Sequence, residues 1–94
     1  MQIGDIVRSM QGRDAGHIYL IVGITTERVL VADGVTRTVK QPKLKNPKHL
    51  TPFGAAPQET LERLTAGHHL SNDEIRQLIG TYVQQEGGDP DAKR

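Results

Sequence analysis

The chain has 94 residues, a formal net charge of +1 and no cysteine. That length suits one compact core with an appended helix rather than two full cores, and the missing cysteines exclude a disulfide framework and a thiolate metal centre. The charge is unevenly divided: residues 1–52 carry eight Lys/Arg against four Asp/Glu, and residues 53–94 carry four against seven, which points to a basic functional surface and an acidic appendage. The opening Met1-Gln2-Ile3-Gly4-Asp5 lacks the charged-then-apolar pattern of a secretory signal. No apolar run approaches the roughly 18 residues of a membrane span, so a cytoplasmic location away from the membrane is expected. The aromatic residues are Tyr19, Phe53 and Tyr82, too few for a row of stacking platforms. Binding to nucleic acid would therefore rest on backbone charge and shape.

In chain order, Asp5–Ser9 reads as a strand, with the β-branched pair Ile6-Val7 favouring extension. Gln11–Gly16 is a polar loop punctuated by Gly12 and Gly16. His17–Thr25 follows as a longer strand. Ile18, Leu20, Val22 and Ile24 share one face, and Tyr19, Ile21 and Gly23 share the other, so both faces are expected to be covered. Arg28–Asp33 is a third strand. Asp33-Gly34 predicts a type I′ hairpin turn into a fourth strand over Val35–Val39. Lys40–Lys48, with two prolines and four lysines, suits an extended solvated connection. His49-Leu50-Thr51 can close the set. Four or five short strands with tight turns point to a small barrel, which also hides the strand edges.

Thr51–Pro57 reads as a linker. Gln58–Ala66 predicts a short helix with Leu61 and Leu64 on one side and Gly67 as its stop. Ser71-Asn72-Asp73-Glu74 is a capping box that opens a second helix. Its stripe of Ile75, Leu78, Ile79, Tyr82 and Val83 must pack on something, and the Tyr19/Ile21 face of the barrel is the candidate. Gly80 weakens this helix by roughly 1 kcal/mol relative to alanine. Gly87–Arg94 has the composition of a disordered tail.

The chemistry-bearing residues are mostly cations. Arg13 lies in one loop, Arg37 in the predicted fourth strand, and Lys40, Lys43, Lys45 and Lys48 in a stretch that prolines hold extended. About four phosphate contacts would make affinity fall roughly a hundredfold between about 50 and 200 mM salt. Enzymatic readings find little support. His68-His69 are adjacent and lack a third ligand at metal spacing. Gly12-x-x-x-Gly16 lacks the Lys-Ser/Thr of a phosphate-binding loop. Asp5 and Asp14 flank the first loop, where a carboxylate can hydrogen-bond loop amides. His17 and His49 suit donors on the nucleic-acid side or strand ends.

Gly4-Asp5-Ile6-Val7, the Gly12-Arg13-Asp14-Ala15-Gly16 loop and the apolar strand to Ile24 resemble the KOW motif. The run through Val31-Ala32-Asp33-Gly34, Arg37 and Gln41-Pro42-Lys43-Leu44-Lys45-Asn46-Pro47-Lys48-His49-Leu50 narrows the resemblance to small bacterial KOW-domain RNA-binding proteins, which are related to KOW-containing proteins of the large ribosomal subunit. It covers about residues 3–51 and extends to the helix start Asn72-Asp73-Glu74-Ile75-Arg76. The resemblance implies an SH3-like β-barrel and contact with structured, ribosomal RNA. It makes Gly16 the glycine at which the loop enters its strand, and puts Arg13, Arg37 and Lys40 to Lys48 on the RNA side. Ala15 and His17 stand where that family tends to carry lysines, and the acidic C-terminal portion lies outside the resemblance.

The expected protein is mainly β: a small SH3-like barrel of the KOW type over 1–52, a linker at 53–57, an α-helical extension over 58–86 and a tail over 87–94. It is read as a non-catalytic RNA-binding module without metal or cofactor. Arg13, Arg37, Lys40, Lys43, Lys45 and Lys48 contact RNA, and Gly12, Gly16 and Gly34 set the backbone. The alternative is a module that docks on a protein of the translation or transcription machinery, with the C-terminal helix as a protein-facing surface.

Overall fold

The computed structural model describes residues 1–85, so the tail expected over 87–94 lies outside the described residues. Five strands run in the order β1 (Asp5–Ser9), β2 (Ile18–Ile24), β3 (Val29–Ala32), β4 (Lys43–Lys45) and β5 (Leu50–Ala55), followed by α1 (Gln58–Thr65) and α2 (Asn72–Gln85). They form one antiparallel sheet ordered β4-β3-β2-β1-β5. Register shifts between Ile6 and Val7 against β5, and between Ile21 and Gly23 against β3, bend this sheet. The result is a curled half-barrel; among the described residues no ladder joins β4 to β5. No helix among them is long and apolar enough to cross a membrane.

The two-residue alternation along the strands sorts the core into two layers. Val7, Tyr19, Ile21, Val29, Val31 and Leu50 fill the concave side. Ile6, Leu20 and Ala32 point the other way and meet Leu70 and Ile75, with Ile18, Val22, Leu61, Leu64, Leu78, Ile79 and Tyr82 packed around them. The stripe on α2 therefore covers the Ile6/Leu20 face, not the Tyr19/Ile21 face predicted for it. The Tyr19/Ile21 face is instead closed by the sheet's own Val7, Val29, Val31 and Leu50.

The capping box forms as read. The Ser71 N–H donates to Glu74 Oε1 at 2.8 Å and the Glu74 N–H donates to Ser71 Oγ at 3.1 Å. Arg63 of α1 donates to Glu74 Oε2 at 2.6 Å, linking the two helices. This contact, together with the Ser71 N–H, holds the Glu74 carboxyl down at about 2.

Three expectations are corrected. Val35–Val39 is not a strand; it belongs to an irregular loop. A type I′ turn needs positive φ at both central residues, and only Gly34 has it (φ 82°), not Asp33. The fourth strand instead comes from the segment read as a solvated connection. Lys43–Lys45 pairs with Val29–Val31, and the prolines at 42 and 47 flank that strand without interrupting it. Finally, β5 runs to Ala55, so most of the predicted linker is strand. Pro52 is tolerated because β5 is an edge strand. Gly54 leaves room there for the Tyr82 ring, and the Tyr82 hydroxyl donates to the Ala55 carbonyl.

Candidate functional site

Two loops rise beside β4 on the concave side. The first joins β1 to β2 and spans residues 10–17. Its neck is closed by the Ser9 N–H donating to the His17 carbonyl at 2.8 Å and the Gly16 N–H donating to the Ser9 carbonyl at 2.7 Å. Asp14 turns inward and becomes a hub. It accepts from Ser9 Oγ at 2.9 Å, from the Tyr19 hydroxyl at 2.7 Å, and from Lys45 Nζ at 3.1 and 3.0 Å on its two oxygens. Lys43 Nζ lies 3.7 Å away. Burial pushes the Asp14 carboxyl up, but the bonds from Tyr19, Lys45 and Ser9 outweigh it and hold the group well below the usual carboxylate range. Burial and the neighbouring Asp14 charge push the Tyr19 phenol well above its ordinary value.

The second loop, residues 33–39, is built around Asp33. One carboxylate oxygen accepts from the Val35 and Arg37 N–H groups, each at 2.8 Å; the other accepts from Thr36 Oγ1 at 2.9 Å and faces His17 Nε2 at 2.6 Å. Burial raises this carboxyl, and the hydrogen bonds from the Arg37 and Val35 amides, His17 and Thr36 bring it down to about 2. From the other side, α2 clamps the same loop. Arg76 Nη1 donates to the Gly34 carbonyl at 2.6 Å, and the Val39 N–H donates to Asn72 Oδ1 at 3.0 Å.

Between these loops lies a groove of about 890 Å³. Arg13 walls it on one side, Thr36 and Arg37 on another, and Lys43 and Lys45 of β4 form part of its lining with His17 and His49. Arg13, Arg37, Lys43 and Lys45, distant in sequence, thus come together. They are not equivalent. The Lys45 side chain is only 10 % exposed and its ammonium is spent on Asp14. Arg13 and Arg37 are exposed, and among the described residues neither guanidinium has a carboxylate partner. Lys40 and Lys48 are exposed but do not line the groove. Gly12, Gly16 and Gly34 all take positive φ. At Gly34 a Cβ would also meet the Asn72 carbonyl oxygen at 2.5 Å, so only glycine fits between the loop and α2.

Asp14, Tyr19 and Asp33, which fix the loops around the groove, are the residues that charge counting passes over. Asp14 between the two glycines of the first loop, and Asp33 just before Gly34 at the start of the second, were the available signals, since such side chains readily bond nearby amides and hydroxyls. Among the described residues no three His, Asp or Glu side chains are grouped to hold a metal ion. No family model and no curated protein matches the chain.

Proposed function

We propose that this chain is a non-catalytic RNA-binding module, with its curled sheet an SH3-like barrel of the KOW type. Its groove takes the phosphates of structured RNA, ribosomal RNA being the expected target, in the cytoplasm. The observation that carries this reading is the gathering of Arg13, Arg37 and Lys43 from three separate stretches around one groove. Guanidinium groups suit phosphate because their donors form a planar fork that meets two oxygens at once. The triple variant Arg13→Ala/Arg37→Ala/Lys43→Ala tests it by titration with a folded ribosomal RNA fragment at several salt concentrations. Affinity is expected to fall, and the salt slope to shrink by nearly one unit per phosphate contact removed. Unchanged affinity and slope would reject the site.

Docking on a protein is the second reading, and Val35 favours it. The residue is 65 % exposed at the rim of a hollow of about 410 Å³ that Ile18 and Ile79 help to line. Such a complex would form equally well at low and high salt and would survive the triple substitution.

A further inference from the structure

We propose that the groove selects an unpaired nucleotide of a folded RNA, with the His17 imidazole as the surface on which the base stacks and Arg13, Arg37 and Lys43 on the flanking phosphates. This rests on the RNA-binding reading and names the RNA feature that the site prefers.

The ring is held from two directions. Its Nε2 lies 2.6 Å from Asp33 Oδ2, which fixes one edge. The Tyr19 ring sits beside it, with centroids 4.8 Å apart and planes inclined by 46°. Tyr19 is itself immobilised, being buried in the concave core with its hydroxyl on Asp14. Despite these restraints, 43 % of the His17 side chain stays exposed, and the residue lines the groove on one side and the hollow beside Val35 on the other. A ring already fixed in place loses little conformational freedom when a base settles on it. The groove volume falls within the range of about 300–1,000 Å³ that small ligands occupy.

The flanking cations cannot make this selection, because every RNA helix presents phosphates. A paired base keeps its faces inside the stack; bulged and loop nucleotides can splay out onto an aromatic ring or histidine. Both oxygens of Asp14 and of Asp33 are already occupied by donors of the protein. The two carboxylates therefore offer no free acceptor to a base edge, and the identity of the stacked base should matter little.

The test compares a fully paired RNA hairpin with the same hairpin carrying one unpaired nucleotide, using the full chain. The unpaired form is expected to bind at least about fivefold more tightly, the low end of base–aromatic stacking. His17→Phe keeps a ring and loses the Asp33 contact; His17→Gln keeps an N–H for Asp33 and loses the ring. The preference should persist in His17→Phe and vanish in His17→Gln. Any other pattern in the pair assigns the preference elsewhere and overturns the proposal. Equal, salt-dependent binding of both hairpins by the native chain overturns it while leaving the RNA reading intact; binding of neither removes both. Photocrosslinking from a 4-thiouridine at the unpaired position to the native chain needs no variant. A crosslink within residues 13–19 is expected, and one confined to another segment overturns the proposal.

Discussion

At the residue scale, the two inward carboxylates decide how the site behaves with pH. Asp33 is only 6 % exposed and sits at about 2, below its unfolded value of 3.8. A carboxyl lowered in the fold stabilises above its unfolded pKa and loses that contribution as pH falls through its folded one. Asp33 therefore supplies about 2 kcal/mol at neutral pH that disappears between roughly pH 4 and 2, and Asp14, lowered further, loses its share at still lower pH. Tyr19 has the opposite sign: its raised phenol stabilises fully below about pH 10 and loses that contribution as pH climbs through the folded value. Urea unfolding across pH should show both limbs, with Asp33→Asn flattening the acid one and Tyr19→Phe the alkaline one. Lys45 shows how a side chain of the right type can sit in the groove without facing a ligand. Lys45→Ala leaves Asp14 with Ser9, Tyr19 and the more distant Lys43 and removes one charged hydrogen-bond partner, so it is expected to cost about 1.5–3 kcal/mol in chemical denaturation. Arg13→Ala, at an exposed position, should change stability by no more than about 0.5 kcal/mol while weakening RNA binding.

At the element scale, the legible parts are those whose signals are local. The capping box and the Ile75/Leu78/Ile79/Tyr82 stripe lie within one helix, and Ile6-Val7 lies within one strand, so sequence shows each directly. The loop at 33–39 is different. The local bonds from Val35, Thr36 and Arg37 to Asp33 are joined by His17 on one side and by Asn72 and Arg76 on the other, and these last partners lie outside any short window. The loop's Asp-Gly pair therefore reads as a hairpin. Likewise β4 is hidden because Lys43-Leu44-Lys45 looks solvated until β3 is placed beside it. Arg13 and Arg37 are legible as candidates from charge alone, but their convergence is a product of topology. Two glycines separate local from tertiary demands. Gly34→Ala puts a Cβ against the Asn72 carbonyl at a positive φ and is expected to destabilise by about 1–3 kcal/mol. Gly80 has no atom within 4 Å of where a Cβ would sit, and Gly80→Ala in α2 should stabilise by about 0.5–1 kcal/mol. Thermal melts of the two variants should move in opposite directions.

At the scale of the whole molecule, sheet and helices share one of the two core layers. Ile75 is fully buried and packs with Ile6, Leu20, Ala32 and Leu70. The helical segment is thus the wall that covers one face of the curled sheet, and through Asn72 and Arg76 it also sets the loop that carries Arg37. Net positive charge gathers on the concave face, while acids are more numerous in the segment beyond β4. This arrangement couples the candidate site to the fold. Anything that loosens α2 should loosen the Arg37 side of the groove before the Arg13 side, which hangs on Asp14 instead. Ile75→Ala removes buried methyl groups at the junction and is expected to cost about 2–5 kcal/mol. Because the layer is shared, helical and sheet circular-dichroism signals of this variant should still melt together, at a lower temperature. Two separate transitions, with the sheet keeping the native midpoint, would mean that the helices are an independent appendage.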